Sequence, residues 1–287
     1  MALTALQISC HPKSHDEIRL HARALLDAHE KFPRLSSVFA SEQRGMMANI
    51  AFSLYFDPAS DLPRRGIVLA RFLALVEERG VASRNTADVF IKEMIKYGYL
   101  RPFSVDGDRR MRPLEPTETS MAGFVTWVMA HLKTLDGFDG GARADAVMRN
   151  LDALSKLQPL VATDLVGDGS QAEYPETLAL FAWVNNSKLF SLRILAGMGD
   201  AEAGASQVST DVESVAELAE WMNVSQTHLT RKLREAEAMG SIGWTGRRGQ
   251  SSMWISTGFL KELTDEQASR LAVFDAAFDA VFAGTAR

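Results

Sequence analysis

With 287 residues, 46% of them hydrophobic and 23% charged, the chain is long enough for two ordinary domains and reads as a folded, soluble, cytoplasmic protein. A single cysteine, Cys10, excludes an internal disulfide; there is no signal-peptide pattern, and no apolar run approaches the ~20 residues that span a bilayer. The net charge of −5 argues against nucleic acid only on average, because between Ser83 and Pro113 seven Lys or Arg stand against four Asp or Glu.

The first thirteen residues lack periodicity and read as an arm. Ser14-His15-Asp16-Glu17 has a capping-box pattern and opens a helix with Ile18, Leu25 and Leu26 inward, broken at Phe32-Pro33. A second helix is expected from about Ser41 to Phe56, with Met46, Met47, Ile50 and Leu54 on one stripe. A third runs from about Arg65 to Arg79, with Ile67, Phe72, Leu75 and Val76 inward. After the short turn Gly80-Val81-Ala82, Ser83 caps a helix whose Ala87, Phe90, Ile91, Met94 and Ile95 follow helical spacing, and Gly98 ends it. Tyr99-Leu100-Arg101 reads as a strand, Val105-Asp106-Gly107-Asp108 as a hairpin tip and Arg109 to Arg112 as the returning strand.

Beyond Pro113, a helix from about residue 117 to Leu135 is apolar on most sides, and Gly137 to Gly141 breaks it. Another spans Ala142 to Leu157 and stops at Pro159; Asp164 to Pro175 is rich in turn formers and reads as a linker. A helix from Glu176 to about Met198 is interrupted near Asn185-Asn186, and residues 197–209 form a polar loop. Helices over Val212–Asn223 and from Ser225 to Gly240, strands at Ser241–Trp244 and Met253–Ile255 around a basic tip, and a final helix from Lys261 with Leu271, Phe274, Phe278 and Phe282 complete the pattern.

Helix, glycine, strand, turn and basic strand thus occur twice. Ser83 matches Ser225, Ile91 matches Leu233, Gly98 matches Gly240 and Leu100 matches Ile242, all 142 residues apart, about half the chain. Each unit reads as a recognition helix followed by a wing. The outward face of the first helix offers Ser83, Arg84, Asn85, Thr86, Asp88 and Lys92; that of the second offers Ser225, Gln226, Thr227, Thr230, Arg231 and Arg234. Arginine can bond two acceptors on guanine, and asparagine or glutamine can do the same on adenine. Arg109, Arg110, Arg112, Arg247 and Arg248 lie on the wings, in reach of phosphates or the minor groove. Taken singly each arginine reads as a solvated surface charge; recurrence of the same features in the same order favours DNA contact.

The stretch Ser83–Glu118, above all VDGDRRMRPLEPTE from Val105, resembles the wing of MarR-type winged helix-turn-helix transcriptional regulators. The resemblance implies that Arg109 or Arg110 meets DNA, with Asp106 or Asp108 orienting it, and that the helix after Thr117 serves in dimerisation. The chain departs from that family in its length, in carrying a second unit of its own, and in lacking an aspartate beside Arg247 and Arg248.

No P-loop, G-x-G-x-x-G, H-E-x-x-H or G-x-S-x-G occurs, so an enzyme is not expected, nor a cofactor. His11, His15 and His21 with Asp16 or Glu17 could make a surface metal site, but simple exposure is the commoner reading and no metal is expected. The resulting expectation is a mainly α protein with small β-wings, its tandem winged helix-turn-helix domains joined and flanked by helices. Its divisions are 1–40, an arm and helix; 41–118, the first winged helix; 119–175, a connector and linker; 176–260, the second winged helix; and 261–287, a final helix. The expected partner is double-stranded DNA. Operator symmetry favours a homodimer, with a single-chain pseudo-dimer as the other arrangement. A small-molecule effector could sit among Phe124, Trp127, Met129 and Trp183, which serve equally well as core. The competing classes are a tandem winged-helix scaffold of chromosome-segregation type and a plasmid-type replication initiator.

Overall fold

The computed structural model describes residues 1–31, 41–58, 62, 64–105, 112–167, 175–182, 187–200 and 204–283. The protein is mainly helical with a few short antiparallel strands. It begins with α1 (Ala5–Ser9) and α2 (Ser14–Lys31), followed by α3 (Glu42–Phe56), α4 (Leu69–Glu78), α5 (Arg84–Lys96), β1 (Leu100–Pro102) and β2 (Leu114–Pro116). Next come α6 (Glu118–Asp139), α7 (Arg143–Arg149), a 3-10 turn (Leu151–Ala153), α8 (Leu154–Val166), α9 (Glu176–Ala182), α10 (Ser187–Gly197) and β3 (Gln207–Ser209). The chain closes with α11 (Val215–Trp221), α12 (Gln226–Ala238), β4 (Ile242–Trp244), β5 (Met253–Ser256) and α13 (Thr257–Phe282).

The N-terminus is not a loose arm. Thr4 accepts from Gln7 N while the Gln7 side chain bonds back to Thr4 N, a capping box that starts α1 and carries Ile8 into the core. Leu3 N then donates to Asp275 on α13 at 2.7 Å, which fixes the terminus to the far end of the chain.

Between α3 and α6 the chain runs helix, single β-bridge, helix, helix, hairpin. Ile67 does not belong to a helix: it exchanges both backbone bonds with Leu114 (2.7 and 2.9 Å), so β2 lies between Ile67 and β1. The strand that pairs with β1 among the described residues is Leu114–Pro116, from Leu100↔Pro116 to Pro102↔Leu114; of the expected returning strand Arg109–Arg112, only Arg112 lies within the described residues. Residues 106–111, which include most of the expected tip Val105-Asp106-Gly107-Asp108, lie outside the described residues. Ala87, Phe90, Ile91 and Met94 are buried as their spacing requires, against Phe72, Val76, Met47 and Ile50; Ile95 is instead 37% exposed.

The same order returns after α9: α10, β3, α11, α12, β4 and β5, with β5 central between β3 and β4. β3 falls where the sequence suggested a polar loop; three residues with one inward side chain, Val208, are too short to show alternation. Gly98 and Gly240 both take left-handed φ, +71° and +72°, directly after the two matching helices. Ser83 accepts from Thr86 N at 3.2 Å and Ser225 from His228 N at 3.4 Å, so the caps match as well.

The remaining helices join these arrangements. α6 continues past Gly137, where the close-lying Glu17 of α2 occupies the space a Cβ would take, and ends at Gly140 with φ +73°. The expected 142–157 helix breaks at Asn150 and restarts as α8, with Pro159 inside it. The lost backbone bond is tolerated because α8 is packed between α3 and α13. Ser256, accepting from Phe259 N, starts α13 earlier than Lys261. Both apolar helices, α6 and α13, are buried within the chain: Trp127 and His131 pack on Phe274, with ring centroids 5.1 and 4.1 Å apart. One core runs through α1, α2, α6, α8 and the whole second half, while a smaller one fills α3 to β2. Phe52 stacks on Phe124 at 4.3 Å and ties the two together. Among the described residues, no helix is long and apolar enough to cross a membrane.

Candidate nucleic-acid interface

The buried stripe of α5 fixes what faces outward. Ser83, Arg84, Asn85, Thr86 and Lys92 are all exposed on one surface. Arg84 makes no ion pair among the described residues, whereas Lys92 is held by Asp88 one turn earlier at 2.6 Å. The Ser83 cap serves Thr86 N, which leaves the backbone N–H groups of Arg84 and Asn85 at the positive end of the helix without a partner among the described residues. Such a terminus accommodates a phosphate.

The same surface carries residues that pattern alone passed over. Val89 is 61% exposed and lies on one stripe with Asn85, Lys92 and Lys96. An outward valine at that position can touch a thymine methyl, and its i+4 spacing from Asn85 was the available signal. Beside the hairpin, Arg64 and Arg101 converge on Glu115, at 2.9 and 2.8 Å, and Arg64 lies over the Phe103 ring at 3.9 Å. Arg112 is exposed at the base of the hairpin; Arg109 and Arg110, with Asp106 and Asp108, lie outside the described residues.

On α12, Leu229, Leu233 and Ala236 are buried, and Gln226, Thr227, Arg231 and Arg234 are exposed, with Thr230 at the edge. Arg234 makes no ion pair among the described residues, although its counterpart Lys92 is tied down. Arg231 lies 3.9 Å from Glu235 and 3.3 Å from His228 Nδ1, long contacts at an exposed site that are worth little. The two arginines between β4 and β5 part company. Arg247 is exposed at the tip, while Arg248 folds back on Glu237 at 3.1 Å, and Glu237 also accepts from Trp244 Nε1 at 2.6 Å. Arg248 therefore braces the hairpin against α12.

The candidate histidine cluster is not brought together. His21 is fully buried against Thr134, His15 bonds Gly199 O, and His11 packs edge-on to Phe138. Among the described residues no group of three or more His, Cys, Asp or Glu could hold a metal ion. Of the residues considered for an effector, Phe124 and Met129 are core, Trp127 lines a cavity, and Trp183 lies outside the described residues. Compared with known protein families, curated proteins and solved structures, the chain matches none.

Proposed function

We propose that this protein is a sequence-specific DNA-binding transcriptional regulator with two winged-helix units on one chain. In this reading α5 and α12 enter the major groove, and the hairpins that follow them reach the backbone or minor groove. The observation that carries it is the repeated capped helix with an outward polar and basic face, each followed by a left-handed glycine and a hairpin. The two heads would not read the same sequence: Arg84, Asn85 and Val89 stand where α12 has Gln226, Thr227 and Arg231. Burial of α6 and α13 inside one chain supports a built-in pseudo-dimer over pairing through those helices.

One observation favours a second reading, a protein-gripping scaffold: Val89, Ile95 and Tyr97 leave apolar surface exposed along α5. Selection of bound genomic fragments by the purified protein at controlled salt separates the readings. A defined site of two unlike half-sites supports the single-chain regulator, an inverted repeat a homodimeric regulator, iterated direct repeats an initiator, and no enrichment a scaffold. Arg84→Ala and Arg231→Ala should each weaken specific DNA binding by about 1–3 kcal/mol with an unchanged melting profile. Parental affinity in both variants would remove α5 and α12 from the interface.

A further inference from the structure

The row of α5 that points straight away from the core is Asn85, Val89, Lys92 and Lys96; the matching row of α12 is Thr227, Arg231, Arg234 and Ala238, and every one of these residues is exposed. Helical spacing stacks the side chains of each row on one face. Arg84 and Gln226 stand one residue off these rows. The next members of their own rows, Asp88 and Thr230, are half-buried, and those after, Ile91 and Leu233, are buried. Arg84 and Gln226 therefore sit at the edge of each face, placed for the flanking backbone more than for base edges.

The two central rows carry different chemistry at equivalent positions. Asn85 presents a donor and an acceptor side by side, which match N7 and N6 of adenine. Val89 is 61% exposed, so it adds nothing to the core, and as a β-branched residue it is a poorer helix former than alanine. What it offers outward is two methyl groups, which suit the ring methyl of thymine. Lys92, next in the row, is held by Asp88 at 2.6 Å. On α12 the hydroxyl of Thr227 can serve any base, whereas Arg231, in the place of Val89, has the fork that matches O6 and N7 of guanine. Arg234 replaces Lys92 and makes no ion pair among the described residues.

We propose that the two heads read unlike base pairs: α5 an adenine and a thymine, through Asn85 and Val89, and α12 guanine, through Arg231 and Arg234. The assignment rests on the DNA-binding reading above and gives it a target. Four residues rise about 6 Å along a helix, close to two base-pair steps of about 3.4 Å, so the adenine and the thymine lie about two pairs apart where α5 follows the groove. Because both heads belong to one chain, such a site has no twofold axis, and the protein lies on it in one direction only.

Selection by the full chain from duplexes with a randomised centre tests the assignment. The recovered site should have one part rich in adenine and thymine and one part carrying guanine. Uracil in place of thymine removes only the ring methyl, and in the first part it should weaken binding about fourfold, the worth of one buried methyl. Deazaguanine, in which carbon replaces N7, should weaken binding about tenfold in the second part, the worth of one hydrogen bond to a charged group. Val89→Ser should abolish the uracil effect and keep the deazaguanine effect; Arg231→Ala with Arg234→Ala should do the reverse. Reselection with Val89→Arg should bring guanine into the first part. These side chains are exposed, so each variant should melt like the parent. Equal base preferences in the two parts, indifference to either modified base, or a uracil effect that survives in Val89→Ser would each overturn the assignment while leaving DNA binding standing. Recovery of no DNA would overturn both and leave the exposed valine to a protein partner.

Discussion

Asp275 on α13 is 1% exposed, and its carboxylate is held by Arg143 Nε and by Leu3 N, both at 2.7 Å. Arg143 simultaneously bonds Asp139 at 2.7 and 2.8 Å and lies 3.3 Å from Asp136, so one guanidinium joins α6, α7, α13 and the N-terminus. Removing it leaves a buried carboxylate with no counterion, and breaking such a pair costs about 3–5 kcal/mol. Arg143→Ala should lower stability by that amount in urea unfolding; a loss under about 1 kcal/mol would mean that Asp275 is hydrated. The histidine pair sets the acid limit. Burial, then Arg270, pushes His21 down to about 4, so between the unfolded value of 6.5 and 4 the unfolded chain binds the extra proton. Stability is therefore complete above pH 6.5 and lost as pH falls toward 4, about 2 kcal/mol between pH 7.5 and 5 from His21 alone. His131 adds in the same direction, and the contribution of Glu42 goes only below about 4.5. Urea midpoints at pH 7.5 and 5 check this, and His131→Phe should flatten the slope.

At the level of elements, those with strong periodicity and clear caps were legible in the sequence. α3, α5 and α12 lie where Ser41, Ser83 and Ser225 place them, because each apolar stripe is long and its cap is a serine. The elements that sequence reading missed are short or owe their state to contacts from afar. Ile67 looks helical by spacing but pairs with Leu114, 47 residues on, and Val208 is drawn into a strand by Ile255. Pro159 reads as a stop, yet packing of α8 against α3 and α13 carries the helix through it. α1 was missed although its T-x-x-Q box is present, since five residues give no periodicity. Gly98 and Gly240 were legible as stops, and their geometry gives a further prediction. Each has φ above +70° with nothing within 4 Å of an added Cβ, so alanine there meets only the backbone penalty. Gly98→Ala and Gly240→Ala should each cost about 1–2 kcal/mol without changing the packed surface. A neutral result would mean that the turns relax.

For the whole molecule, the repeat at an offset of 142 is legible in the sequence, because cap serines and glycines recur at fixed places even where side chains differ. The site was legible in part: the outward faces of α5 and α12 follow from their buried stripes, but the turn of Arg248 onto Glu237 depends on a hairpin position that spacing does not encode. Nor does composition reveal that α6 and α13, apolar enough to suggest a dimer interface, bury each other within one chain. If both reading heads belong to one chain, light scattering should give the mass of a single chain, 31.6 kDa, without DNA. A mass twice that would restore the homodimer. DNA binding by two heads should also depend steeply on salt. The exposed basic groups on the two heads include Arg84, Lys96, Arg112, Arg231, Arg234 and Arg247, and roughly six phosphate contacts give a slope of log affinity against log salt near −5. Arg84→Ala and Arg231→Ala together should lower that slope by about two. A slope near −3 in the parent protein would mean that only one head touches DNA, and whichever of Arg84→Ala and Arg231→Ala lowers it by about one would name that head.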